Sequence, residues 1–224
     1  RWENSQEIPD FKQLKVIRIS NVGGKDILAV VERLARRHRV PVHVARCATK
    51  FAGVRNGYLE PDRLGIDRWL GVIAAYHAFG GCYAVDCGSA ITLDLVLADG
   101  KHLGGYIAPG IRLMRESLKL GTSNVSVDAA TATSGLIYPG RKTKDAVSHG
   151  IYLTAVGYIN SVIAQTESLF DQPPPLVLTG GDASLVAKAL NGSVYMFPVT
   201  EAEKQGNLTG VPKLALHLEA NKMK

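Results

Sequence analysis

The chain has 224 residues, enough for one large domain or two small ones with a real core. Hydrophobic residues make up 46% and charged residues 21%, a globular composition that excludes disorder over most of the length. A net charge of +6 suits a protein that handles anions such as nucleotides and carboxylates, and it does not by itself argue for nucleic acid.

Lys15 to Ser20, KVIRIS, alternates apolar and polar residues and reads as a strand. Asn21 to Gly24 is a turn. Asp26 is placed to cap a helix through about Arg39, with Ile27, Val30, Val31 and Leu34 on one face. The basic run Arg33, Arg36, Arg37, His38, Arg39 falls at the end of that helix, where a solvated face complementing the dipole explains it. Val40 to Ala45 reads as a second strand, and strand–helix–strand order predicts an α/β layer. Phe51 to Gly65, FAGVRNGYLEPDRLG, is too polar for a strand and is broken by Pro61. A helix then begins near Asp67 and runs to about Phe79.

The longest apolar stretch, Trp69 to Val85, falls short of the ~20 residues a membrane span needs. His77, Gly80 and Gly81 divide it into a helix, a turn and a buried strand, so no membrane partner is expected. The three cysteines, Cys47, Cys82 and Cys87, have no metal-ligand spacing and predict a reducing, cytoplasmic compartment with mostly buried thiols. No signal peptide is visible, and the chain opens on Arg1-Trp2 where a natural start would carry Met.

Cys82 to Gly105 predicts two or three antiparallel strands, with turns at Asp86–Ser89 and Asp99-Gly100. Ile111 to Leu120 looks helical. Gly121 to Ser134, rich in Ser, Thr and Ala, reads as a mobile loop. A long helix follows from about Lys144 to Phe170. After Pro173–Pro175 comes a short buried strand, Leu176 to Leu178, and a turn into a helix at Ala183.

Three clusters of residues could carry chemistry. In Asp86-Cys87-Gly88-Ser89-Ala90-Ile91-Thr92-Leu93-Asp94 the turn glycine lets backbone N–H groups approach a phosphate. Ser89 can donate to a phosphate oxygen, and Asp86 can hold a cation that offsets phosphate charge. An ordinary hairpin with an Asx turn is the plainer reading, and Ser89, Thr92 and Asp94 at these offsets favour the phosphate. In Asn56-Gly57-Tyr58 with Leu64-Gly65-Ile66-Asp67-Arg68-Trp69, Asp67 is either a helix N-cap or a base that orients a substrate hydroxyl, and spacing does not decide. Thr179-Gly180-Gly181-Asp182 leaves room for adenine and ribose, though taken alone it reads as a strand-to-helix turn capped by Asp182. Thr143, before the long helix, is a good N-cap in any reading.

In order, NGYLEPDRLGIDRW, VDCGSAITLDLV, HLGGYIAPGIRLM and LVLTGGDA resemble the type III pantothenate kinases, over more than half of the chain. The match is closest to the branch that includes the Bvg accessory factors. The resemblance implies an actin-like (ribonuclease H-like) fold of two α/β domains with a cleft between them, divided here as residues 1–66 and 67–224. It implies transfer of the ATP γ-phosphoryl group to the primary hydroxyl of pantothenate, on the route to coenzyme A. By this resemblance Asp67 is the catalytic base, and Tyr58, Gly65, Ile66, Asp67, Arg68 and Thr143 bind pantothenate. Gly88, Ser89, Gly180 and Gly181 contact ATP, Asp86 holds a monovalent cation (potassium or ammonium), and Mg²⁺ bridges the phosphates. The expected assembly is a homodimer with the substrate pocket near its interface and no nucleic-acid partner. Two alternatives stand beside this: an actin-like kinase for another small alcohol, and a non-catalytic nucleotide-binding regulator.

Two departures from the family pattern matter. Ser89 stands where Thr is usual, which keeps the hydroxyl. The family's opening Asp-x-Gly-Asn-[Thr/Ser]-x-x-Lys phosphate loop has no counterpart, and Asn21–Gly24 does not replace it. A strand–turn–strand on the order of 15–25 residues is therefore expected before Arg1, and without it ATP should bind poorly.

Overall fold

A computed structural model describes residues 14–121, 138–190, 193–196 and, as backbone, 214–220. The protein is mixed α/β and divides into two compact units. One comprises Arg1–Cys47, Gly65–Asp67 and Thr200–Lys224, and the other Ala48–Leu64 and Arg68–Val199.

The first unit is built around strand β1, Leu14–Asn21. Helix α1, Lys25–Arg37, carries the chain to β2, Val42–Val44, which pairs parallel to β1. Alternation in β1 sends Ile17 and Ile19 inward, where Val31 and Ala35 of α1 and then Val40 cover them. A further strand that the sequence reading left out lies antiparallel on the other side of β1. Asp26 does not cap α1. Gly24, at φ 94°, takes the cap position without a side-chain bond, and Asp26 sits in the first turn, where its charge still complements the dipole. Asn21 organises the preceding turn, accepting from Gly23 N at 3.0 Å and donating to the Gly24 carbonyl at 2.9 Å.

The second unit opens with a small hairpin, β3 (Lys50–Phe51) and β4 (Val54–Arg55), in the segment judged too polar for strands. Ala52 and Gly53 turn it at positive φ. After a 3-10 turn at Pro61–Arg63 comes α2, Ile66–Phe79, whose buried Trp69, Val72, Ile73 and Ala75 follow helical spacing. Then come β5 (Cys82–Cys87), β6 (Ala90–Val96) and β7 (His102–Pro109), as expected, and α3 (Ile111–Gly121). The Ser/Thr/Ala segment expected as a loop lies, after Gly121, outside the described residues through 134. Helix α4 spans Thr143–Thr166, β8 Leu176–Thr179, α5 Ala183–Ala187 and β9 Val194–Met196. The chain's last described strand, the one beside β1, is β10, Leu214–Ala220. Its signal was the alternation of Leu214, Leu216 and Leu218.

Five strands of the second unit form one sheet in the order β7-β6-β5-β8-β9. The first three make an antiparallel meander, and β5, β8 and β9 are parallel. Tyr83, Val85, Cys87, Ile91, Leu93, Leu95, Leu176 and Leu178 alternate onto one face. Ile151, Tyr152, Ala155, Val156, Ile159 and Val162 of α4 cover that face, joined by Ile111 of α3 and by Ala183 and Val186 of α5. Burial pushes the thiols of Cys82 and Cys87 up to about 12, so both are inert core groups at neutral pH. Among the described residues no helix is long and apolar enough to cross a membrane.

Candidate active site

Two clusters in the second unit gather most of the residues singled out above. The first stands at one end of the five-stranded sheet. Asp86, near the end of β5, is in register with Thr92 of β6 and Thr179 of β8. The Gly88-Ser89 turn closes with Gly88 N donating to the Ala90 carbonyl at 3.0 Å. Gly110 N, just past β7, donates to the Ser89 carbonyl at 3.0 Å, and Asp182 N donates to the Cys87 carbonyl at 3.0 Å. Three loops distant in sequence are thus stitched by backbone bonds. The approach needs glycine: Gly180 has φ +96°, and a Cβ there would meet Cys87 backbone at 2.6 Å and the Asp86 carboxylate. At Gly110 a Cβ would meet the Ser89 carbonyl at 2.6 Å. Asp86, Ser89 and Gly181 are exposed, so the end of the sheet presents a carboxylate, a hydroxyl and glycine backbone to solvent. Burial raises the Asp182 carboxyl above its usual range, opposed by the positive charges of Arg115 and Arg112 on α3. Those two guanidinium groups lie within electrostatic reach of the loops, a placement suited to an anion.

The second cluster joins α2 to the opposite face of the sheet. Asp94 alternates away from Leu93 and Leu95 and is 2% exposed. Its register partners are Ala84 and Gly105, two of the smallest residues, which leaves a hollow above it. Arg68 fills that hollow. Its Nε donates to Asp94 Oδ2 at 2.9 Å and its Nη2 to Oδ1 at 2.6 Å, a bidentate pair. A Cβ on Gly105 would fall 2.8 Å from Arg68 Nη2. Arg68 Nη1 donates to the Tyr58 hydroxyl at 2.7 Å. Burial works against the Arg68 charge, yet the bonds and charge of Asp94, with Tyr58 behind them, hold its pKa above the ordinary value. His102, fully buried, meets Asp94 Oδ1 through Nε2 at 2.9 Å, and its ring stacks on Tyr58 at 6.3 Å between centroids.

Tyr58 is held from its own segment as well. Its N–H donates to Asn56 Oδ1 at 3.0 Å, and Asn56 Nδ2 donates to the Pro61 carbonyl at 3.4 Å. Upstream, Arg55 N donates to the Gly100 carbonyl at 2.8 Å and Arg55 Nη2 pairs with Asp99 at 2.6 Å. The NGY turn is therefore anchored to the β6–β7 hairpin.

The remaining candidates sit elsewhere. Gly65, Ile66 and Asp67 belong to the first unit, with Asp67 in the first turn of α2. The helix starts at Ile66, so Asp67 is inside the first turn, one residue beyond the helix start. Thr143 is the exposed first residue of α4 and does not cap it; Lys142 takes that position, with no side-chain capping bond. The bonds that define the two clusters do not include Thr143. Asp182 does take the cap position of α5, also without a side-chain bond. Sequence reasoning noted Asp94 only as an offset in a motif and passed over His102. The signal for Asp94 was a lone carboxylate inside an apolar strand, which demands a buried cation.

A family model described as type III pantothenate kinase matches residues 3–165. The chain belongs to the type III pantothenate kinase family. A type III pantothenate kinase of Chromohalobacter salexigens is 46% identical over 223 residues, covering 94% of this chain and 80% of that one. One of Azotobacter vinelandii is 43% identical over 178 residues, covering 77% and 71%. One of Pseudomonas aeruginosa is 44% identical over 170 residues, covering 75% and 68%. A solved structure from Campylobacter jejuni, described as a Baf family transcriptional activator, aligns at 24% identity with a TM-score of 0.46 over 77% of this chain and 72% of that chain, a likeness too loose to carry an argument. Both clusters fall within motifs that make this chain resemble the type III pantothenate kinases. Arg68, Asp94 and His102 lie within the matched residues, as do Asp86 and Ser89.

Proposed function

We propose that this protein is a pantothenate kinase, transferring the γ-phosphoryl group of ATP to the primary hydroxyl of pantothenate in coenzyme A biosynthesis. Membership of the family and the names of the relatives support this reading over a non-catalytic regulator. The observation that carries it is the meeting of the Asp86–Ser89 turn, Gly110 and Gly180-Gly181 at one end of the sheet. In this reading Gly88, Ser89, Gly180 and Gly181 receive ATP. Its phosphoryl group passes through a loose transition state, so the protein's part is positioning and charge neutralisation.

The exposed Asp86 carboxylate beside that turn is a hard oxygen donor of the kind that suits a hard cation. Asp86 would hold a monovalent cation there, and Mg²⁺ bound with ATP would offset phosphate charge. Asp67 steers the pantothenate hydroxyl and accepts its proton as the new P–O bond forms. Tyr58 and Arg68 hold the rest of pantothenate, with Gly65, Ile66 and Thr143 completing its surroundings. Because the Tyr58 oxygen accepts from Arg68, its own proton is directed elsewhere and is available to a substrate acceptor. The finer fold belongs to the same proposal. A three-strand meander continued by two parallel strands is one self-contained α/β half, which supports a duplicated actin-like architecture. A homodimer and a cytoplasmic location complete the reading.

The test is a coupled assay of the full-length protein with ATP and pantothenate, with and without potassium. Turnover on glycerol or sugars but not on pantothenate would replace the substrate. Asp67→Asn should lower kcat by about 10²- to 10⁴-fold, the usual weight of a general base, while pantothenate still binds. Unchanged turnover by that variant removes Asp67 from the mechanism.

A further inference from the structure

We infer that His102 is a positioning residue for pantothenate recognition, acting through Asp94 and Tyr58 without touching the substrate. The inference rests on the proposed role of Tyr58 and Arg68. Five groups form a closed circuit. Arg68 binds Asp94 with two N–H groups, at 2.9 and 2.6 Å, and Tyr58 with a third, at 2.7 Å. His102 binds Asp94 Oδ1 at 2.9 Å, and its ring lies 8° from parallel with the Tyr58 ring. The Gly57 N–H points to His102 Nδ1 at 3.4 Å, so the backbone next to Tyr58 is tied to the same imidazole. Arg68 and Tyr58 are therefore linked twice: directly, and through His102.

The two bonds of His102 agree on its tautomer. An amide N–H can only donate, so Nδ1 accepts; a carboxylate can only accept, so Nε2 carries the proton. Asp94 Oδ1 thereby receives two donors, one from Arg68 and one from His102. The consequence is orientation. A carboxylate bound only by Arg68 can swing with it, whereas a third donor from the rigid β7 strand fixes the plane of the carboxylate and hence that of the guanidinium. His102 has no freedom of its own, being fully buried beneath the NGY turn. A Cβ on Gly57 would also meet the His102 carbonyl carbon at 2.9 Å, so the turn lies directly on this residue. Its imidazole therefore sets both the height of the Tyr58 ring and the direction of Arg68, the two groups assigned to pantothenate.

The test uses the full-length protein and compares His102→Ala, His102→Gln and His102→Asn with Tyr58→Phe. Gln places an amide N–H near the position of Nε2, whereas Asn places one near Nδ1 and leaves Asp94 short of a donor. His102→Ala should raise the KM for pantothenate and its calorimetric Kd by about ten- to a hundredfold, the range for losing a bond to a charged group. The KM for ATP should stay within about twofold, as expected of a change remote from the phosphate-binding turn. His102→Gln should recover most of the loss and His102→Asn little of it. Should His102→Ala fail to fold, the contrast between Gln and Asn decides. Equal effects of those two, or parallel rises in both KM values, overturn the inference. A pantothenate KM moved by Tyr58→Phe and untouched at His102 sinks the inference alone; one untouched by Tyr58→Phe sinks the site reading beneath it. Independently of activity, the ¹⁵N signals of His102 should report a protonated Nε2 and a bare Nδ1, and the opposite tautomer removes the circuit.

Discussion

Arg68 and Asp94 are charged groups taken almost wholly out of water, with side chains 6% and 2% exposed. Removing each from water has a cost that their bidentate contact offsets only while both are present. Asp94→Ala takes a bidentate buried partner from the Arg68 guanidinium, and breaking such a buried pair costs about 3–5 kcal/mol. Against a total stability of about 5–15 kcal/mol for a domain, that is a large share. The variant should therefore unfold at a markedly lower urea concentration. An unchanged midpoint would mean that the pair is not buried in solution. Arg68 was legible in the sequence as a candidate and Asp94 as an offset in a motif. Their partnership was not, because it depends on which strand residues face α2. That follows from the register that sets Asp94 opposite Ala84 and Gly105, a property of paired strands rather than of any one segment.

At the level of elements, period and turn chemistry identified most of the core strands and helices. Tyr83–Val85, Ile91–Leu97 and Leu176–Leu178 are apolar runs bounded by glycine or aspartate turns, and each became a strand. The ends of helices were less legible. Asp26 and Thr143 are good capping residues by type, yet Gly24 and Lys142 occupy the cap positions. The two-residue strands β3 and β4 escaped because they exist through tertiary anchoring, with Arg55 tied to Gly100 and Asp99, and not through any apolar pattern of their own. Turn glycines divide by the same logic. Gly180 sits at φ +96° against Asp86 and Cys87, whereas a Cβ at Gly181 would meet nothing within 4 Å. Gly180→Ala should cost at least about 1–2 kcal/mol from the left-handed backbone alone, and contact with Cys87 adds to this. Gly181→Ala should stay within about 0.5 kcal/mol. Thermal melting of the two variants gives the comparison, and equal melting temperatures would mean that the loops do not meet as described.

For the whole molecule, α4 is the element whose sequence asks for more than one covering surface. Its apolar residues are not confined to one face. One side is used by Ile151, Tyr152, Ala155, Val156, Ile159 and Val162, which pack on the sheet. Gly150, Leu153 and Gly157 recur three and four residues apart on another side, all exposed, with Leu153 at 54%. Added Cβ atoms at Gly150 and Gly157 would meet nothing within 4 Å, so neither glycine is required by packing inside this chain. Glycine inside a helix costs about 1 kcal/mol relative to alanine, and two of them beside an exposed leucine form a low, apolar ridge suited to close approach by a second helix. This face is our candidate for the contact in the proposed homodimer. Full-length protein should sediment as a dimer at micromolar concentration, and Leu153→Asp should shift it to monomer by placing a charge in the contact. Because Leu153 is exposed within the chain, the monomer's own melting temperature should change little. In a dimer whose proposed pantothenate pocket lies near the interface, turnover should fall together with the dimer fraction and recover as protein concentration rises. A Leu153→Asp protein that remains dimeric moves the interface away from α4, and wild-type protein that sediments as a monomer removes the dimer itself.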